Sequence, residues 1–226
     1  MSDELMKKPE PFKLRQPVGL AAKKKAAAAL DPARAAFNIP PAEMPERIGI
    51  VFDDSGSMSH GYPKDPIDDA HAGCEEFLRS CKPGQTAVTV YPMNADALHL
   101  STDLPALAVL IDMIPATGGT PALETLEKML DNEKITRAIM FSDGGYSDYS
   151  YGRIVAKCKA KKIPVDTVFI GNQDSIQMQR LAEATGGYYL HFRPGLSSFR
   201  ESFKYLAPAY RTMLADKSFV DKITGK

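Results

Sequence analysis

From Ile48 onward, apolar residues along the chain alternate between two spacings. The run RIGIVF, residues 47–52, is short and apolar, as expected of a strand buried on both faces. In the following stretch, residues 66–81, Ile67, Ala70, Cys74, Phe77, Leu78 and Cys81 recur every three or four residues and predict a helix with one apolar face. TAVTVYPM (86–93) returns to strand, HLSTDL (99–104) adds a short edge strand, and PALAVLIDMI (105–114) is helical. In residues 117–132 the loop TGGT leads into a helix with Pro121 in its first turn and Leu123, Leu126 and Leu130 on one face. ITRAIMFSD (135–143), PVDTVFIG (164–171) and YYLHF (188–192) read as strands, with helices between them over 151–163 and 175–187. Gly186 and Gly187 stand where the second of these helices should be capped. A last amphipathic helix is expected over 197–214, because Phe199, Phe203, Leu206, Tyr210 and Met213 keep the helical period.

Strands too apolar to be exposed on either face, alternating with helices, imply an open, mostly parallel sheet covered on both sides. In such sheets ligands bind beyond the carboxyl ends of the strands. A chain of 226 residues suits one core of roughly 150 to 200 residues with extensions. Three parts are expected: an arm over 1–45, a domain over 46–214 and a tail over 215–226. The arm carries prolines at 9, 11, 17, 32, 40, 41 and 45 and few large apolar residues, so it cannot build a core of its own. Its stretch AAKKKAAAALDPARAAF favours helix up to Leu30, before Pro32. Two readings stay open: a solvated arm, or a docking arm that orders against a partner or neighbouring subunit.

Composition removes options more than it adds them. The formal net charge is zero, which gives no bulk reason to expect nucleic acid or a membrane surface as partner. No apolar run reaches the roughly 18 residues of a membrane span. The first residues are polar and lack the apolar centre of a secretory signal, so a cytoplasmic location is expected. Three cysteines, with no CxxC pair, read as reduced small hydrophobes. The four histidines (60, 71, 99 and 191) share no ligand spacing.

Three polar clusters fall where the sheet rule places ligands: DDSGS at 53–57 after the first strand, TGGTP at 117–121 opening a helix, and SDGG at 142–145 after a later strand. Brought to one edge, Asp53, Ser55, Ser57, Thr120 and Asp143 would offer two carboxylates and three hydroxyls. Hard cations such as Mg²⁺, Mn²⁺ or Ca²⁺ prefer an all-oxygen set, whereas zinc and copper do not. Octahedral Mg²⁺ needs about six oxygens at roughly 2.1 Å, so five groups leave room for an outside ligand. Each residue also has a plainer role: Asp53, Ser55 and Ser57 as a capped turn, Thr120 as a helix N-cap, Asp143 as an Asx turn. Asp54, between Asp53 and Ser55, is expected to face away from the others as a charge on the rim.

In order and context, Asp53-x-Ser55-x-Ser57, Thr120 in GGTPALETL and Asp143 in FSDGG resemble the metal-ion-dependent adhesion site of von Willebrand factor type A domains, over about residues 46–214. The resemblance implies an α/β three-layer, Rossmann-like sandwich with a mainly parallel central sheet and one antiparallel edge strand. It also implies Mg²⁺ or Mn²⁺ with an open position for a partner protein's carboxylate. Single intracellular domains of this kind resemble adaptors for AAA+ ATPases or components of multiprotein complexes.

His60, Tyr62, Tyr146 and Tyr149 flank the clusters and form a candidate partner-binding rim. A solvated loop for His60 and packing against the next helix for the tyrosines are the competing readings. An enzyme is not expected, since no histidine, lysine or glutamate adjoins the three clusters as a general base. A phosphotransferase of the haloacid dehalogenase type would need a carboxylate two residues after Asp53, where the chain has Ser55. No GxxxxGK[ST] loop is present for ATP. A structural role in a large assembly, with the arm as tether, is the remaining alternative and is compatible with binding.

Overall fold

The computed structural model describes residues 41–60, 65–144, 146, 148–193 and 199–224. Six strands form one sheet: β1 (Glu46–Phe52), β2 (Thr86–Pro92), β3 (Leu98–Ser101), β4 (Arg137–Ser142), β5 (Val165–Ile170) and β6 (Tyr189–Phe192). Their spatial order is β3-β2-β1-β4-β5-β6. All neighbours are parallel except β2 and β3, which pair antiparallel at one edge. Every residue of β2, β4 and β5 is buried, which accounts for their unbroken apolar character.

Alternate residues of each strand serve opposite cores. Ile48, Ile50 and Phe52 of β1 and Ile139 and Phe141 of β4 enter one core. It is closed by α1 (Pro66–Ser80), α2 (Leu104–Ile111) and the C-terminal segments, through Cys74, Phe77, Leu107, Phe203 and Leu206. Phe203 stacks on Phe141 with ring centroids 5.0 Å apart. Val51 and Met140 face the second core, under α3 (Ala122–Asn132), α4 (Tyr151–Lys161) and α5 (Ile176–Thr185). Gly186 caps α5 at φ 78°, a left-handed conformation that suits glycine. Cys74, Cys81 and Cys158 are free and buried, and burial raises all three thiols, Cys158 to about 11.

The domain runs further at both ends than the sequence suggests. Met44 is fully buried and its carbonyl accepts a hydrogen bond from Arg47, so residues inside the expected arm belong to the fold. The rest of that arm, residues 1–40, lies outside the described residues. The single helix expected over 197–214 is broken into α6 (Phe199–Ser202) and single turns at Phe203–Leu206 and Arg211–Ala215. Ala207 is extended, with ψ 148°, because the ring of Pro208 disfavours a helical residue before it and brings no amide hydrogen. The expected tail also contains α7 (Lys217–Thr224), whose Ile223 joins the first core.

At the amino ends of β4 and β5 a buried ionic cluster holds the C-terminal segment. Fully buried Asp166 accepts from Arg137 at 3.1 Å, from Arg211 at 3.0 and 2.9 Å, and from the Tyr188 amide at 2.8 Å. Arg137 also donates to the Leu206 carbonyl at 2.5 Å. This cluster lies at the edge of the sheet opposite the three polar loops.

Candidate metal centre

From β1 the chain winds outward through β2 and β3 and then crosses back to β4, so the strand order reverses between β1 and β4, the place beyond whose carboxyl ends open sheets bind ligands. The Asp53 amide donates to the Phe141 carbonyl at 3.1 Å and extends the β1–β4 pairing by one residue. That bond sets Asp53 beside the end of β4. Its side chain is fully buried: Oδ1 accepts from the Ser55 amide at 2.9 Å and Oδ2 from the Ser142 hydroxyl at 2.5 Å.

After Ser55 the chain makes one 3₁₀ turn, Gly56–Ser59, which brings the two serine hydroxyls within 3.0 Å of each other. Ser57 then donates to Asp143 Oδ1 at 2.9 Å. Ser55 is the N-cap of this turn, yet its side chain makes no capping bond. Its hydroxyl faces Ser57 instead, so a capped turn does not account for it. Burial pushes the Asp143 carboxyl above its usual range; the Ser57 hydrogen bond opposes the shift and the negative charge of Asp53 adds to it. Two carboxylates that feel each other's charge among hydroxyls suit a bound cation.

The third loop is laced to the first by backbone bonds. The Thr117 amide donates to the Asp54 carbonyl at 2.5 Å, and the Gly56 amide to the Gly118 carbonyl at 3.1 Å. Thr120 follows, half-buried, and among the described residues no hydrogen bond joins its side chain to the other four. Pro121 is itself the N-cap of α3, so helix capping does not explain Thr120 either.

Asp54 corrects one expectation. It does face away from Asp53, but as a fully buried group rather than a rim charge. Its Oδ1 accepts from the backbone and side-chain nitrogens of Asn94 at 2.9 and 3.1 Å, while Oδ2 is buried without a hydrogen-bond partner among the described residues. Burial raises its carboxyl and the Asn94 bonds oppose that shift.

Of the expected rim, Tyr149 is 98% exposed. His60 is exposed, with Nδ1 2.8 Å from the Gly56 carbonyl and 3.1 Å from the Ser59 hydroxyl. Tyr62 lies outside the described residues. Tyr146 does not belong to the rim: it is 5% exposed, packs in the second core and donates its hydroxyl to the Gln177 carbonyl at 2.7 Å. An aromatic ring in the loop after β4 finds α5 within reach and gains more from burial than from exposure. Ile176, 71% exposed at the start of α5, escaped the sequence reading. So did Asn94, and Ser142 enters that reading only as part of the SDGG cluster, with no role of its own. The signal for Ser142 was a hydroxyl ending an otherwise apolar strand; Asn94 carried none.

Asp53, Ser55, Ser57 and Asp143 thus meet at one point, with the loop of Thr120 held against them. They carry only oxygen donors. Among the described residues no group of three or more His, Cys, Asp or Glu side chains is placed to hold a metal, and this set contains two.

A parallel sheet with one antiparallel edge, helices on both faces and polar loops beyond β1 and β4 define an α/β binding domain. Residues 46–191 match the von Willebrand factor type A domain family, and the chain belongs to that family of protein-interaction modules. Several solved structures share the fold. The conserved hypothetical protein BatB from Bacteroides thetaiotaomicron superposes with a TM-score of 0.58 at 15% identity, over 75% of this chain and 98% of its own. The VWA domain of SpRpn10 gives 0.54 at 14% identity, over 72% and 95%. The pilus adhesin SpaC from Lactobacillus rhamnosus GG gives 0.53 at 13% identity, over 82% of this chain but 31% of its own. No curated protein matches the chain in sequence. No helix among the described residues is long and apolar enough to cross a membrane.

Proposed function

We propose that this domain is a divalent-metal-dependent protein-binding module that captures an acidic side chain of a partner protein. The observation that carries the reading is the hydrogen-bonded chain from Ser55 through Ser57 to Asp143, beside Asp53. Together with Thr120 these side chains would hold Mg²⁺ or Mn²⁺; Ca²⁺ also accepts such a set. A dication bound there is left close to neutral by the two carboxylates and keeps Lewis acidity for one more anion. Tyr149 and Ile176, both exposed on the segments that follow β4 and β5, and His60 after β1 are the side chains on this side of the sheet that would contact the partner.

The role is that of an adaptor or component of an intracellular multiprotein complex, with an AAA+ ATPase as one class of partner. That a protein of similar fold is a pilus adhesin is in keeping with a binding role. Phosphotransfer of the haloacid dehalogenase type is disfavoured, because the position two residues after Asp53 is Ser55 and the adjacent Asp54 turns away to Asn94. The test is capture of a partner from the native host with and without EDTA, alongside the thermal midpoint with and without Mg²⁺. The Asp53→Ala, Ser55→Ala double variant is expected to fold, to lose the Mg²⁺ response and to capture nothing. Partner capture that persists in chelator would refute the metal's role.

A further inference from the structure

Asn94 is an exposed side chain in the loop after β2, outside every motif, yet both its amide nitrogen and its amide oxygen bond to elements of the candidate site. Its backbone amide and Nδ2 both donate to Asp54 Oδ1, at 2.9 and 3.1 Å. Nδ2 also donates to the Gly119 carbonyl at 2.8 Å, and Oδ1 accepts from the Gly119 amide at 3.1 Å. A primary amide has two N–H donors and one carbonyl, and all are engaged. The orientation is determined as well, since a flipped amide would set its oxygen against a carboxylate and a carbonyl.

The two bonds to Gly119 copy what a neighbouring strand would do, so Asn94 serves that loop as a peptide group serves a ladder. Gly118 is shaped to the same contact. It stands at φ +76°, and a Cβ there would come within 2.3 Å of Asn94 Oδ1.

We infer that Asn94 is a positioning residue: anchored on Asp54, it holds the 117–120 loop in register with the 53–57 turn, so that Thr120 joins the metal-binding set. The inference rests on the metal reading proposed above. Asp53, Ser55, Ser57 and Asp143 are placed by their own hydrogen bonds and by β1 and β4, whereas Thr120 depends on its loop. A loop not held in advance must be ordered when the ion binds, and that ordering subtracts from affinity. Removing partners that orient metal ligands typically costs about 10- to 100-fold in affinity.

The experiment titrates the full chain with Mn²⁺, following the free ion by electron paramagnetic resonance. It also records the metal-free thermal midpoint and exchange of the Gly119 amide hydrogen. Asn94→Ala is expected to bind Mn²⁺ about 10- to 100-fold more weakly and to exchange the Gly119 amide faster without metal. Adding Thr120→Ala should then cost little more, because the two changes remove one contribution. A residue that merely stabilised the fold would lower the midpoint and leave the affinity of the folded protein unchanged. Where the alanine variant does not fold, Asn94→Ser serves: it keeps a small polar side chain at this exposed position, adds no charge, and is too short to make both bonds to Gly119. Mn²⁺ affinity equal to wild type in a folded Asn94 variant overturns the inference and leaves the metal reading standing. A wild-type chain that binds no Mn²⁺, or an Asp53→Ala variant that binds it equally well, overturns the metal reading and the inference with it.

Discussion

Ser57 and Asp143 stand 86 residues apart in sequence and share a hydrogen bond of 2.9 Å. The bond closes a circuit between the loop after β1 and the loop after β4, and it exists because those strands are neighbours. It also holds Asp143 where burial and Asp53 raise its carboxyl.

That raised carboxyl has a signed consequence for stability. Asp143 binds its proton more tightly folded than unfolded, so its protonation stabilises the metal-free fold. The contribution is complete below the unfolded value of 3.8 and is lost as pH rises through the higher folded value. Asp143→Asn should therefore raise the metal-free midpoint at neutral pH, by roughly 2–4 °C for each kcal/mol gained, and abolish the Mg²⁺ response. The gap between variant and wild type should narrow as pH falls towards 4, as scanning calorimetry in EDTA would show.

Asp166 carries a different load. Its replacement by alanine leaves Arg137 buried without its carboxylate and frees Arg211. Breaking a buried pair from one side costs about 3–5 kcal/mol. Urea unfolding should register a loss of that order, while the Mn²⁺ affinity of the folded fraction stays as in wild type, because the cluster lies at the far edge of the sheet.

The two loop tyrosines should separate cleanly. Tyr149→Ala, at an exposed ring, should change stability by less than about 0.5 kcal/mol and weaken partner capture. Tyr146→Phe removes the donor to the Gln177 carbonyl and should cost about 0.5–1.5 kcal/mol with capture retained. Denaturant midpoints and pull-down yields on the same preparations check both.

A chain starting at residue 46 should melt below one starting at residue 41. The shorter chain lacks the buried Met44 and the carbonyl that Arg47 donates to. Full burial of such a side chain is worth about 1.5–3 kcal/mol, enough for a displaced thermal transition.

Much of this protein was legible in one dimension. Whether a segment is helix or strand depends on which of its residues face a core, and that leaves a period in the sequence: Ile67 to Cys81 at helical spacing, Ile48 to Phe52 continuously apolar. The order of elements and the buried strands followed; of the five oxygen-bearing residues, Asp53, Ser55, Ser57 and Asp143 are linked by hydrogen bonds, and among the described residues Thr120 is not linked to them. The rest depended on neighbours distant along the chain. Strand order brought Asp53 beside Ser142 and set Ser57 against Asp143. Asp54 read as a surface charge because nothing nearby in sequence shows that Asn94, 40 residues on, would cover it. Tyr146 went inward because α5 lay within reach, and the last helix broke at Ala207 because Pro208 outweighed an apolar period. Local periodicity records that a residue is buried; only the packed sheet decides against what.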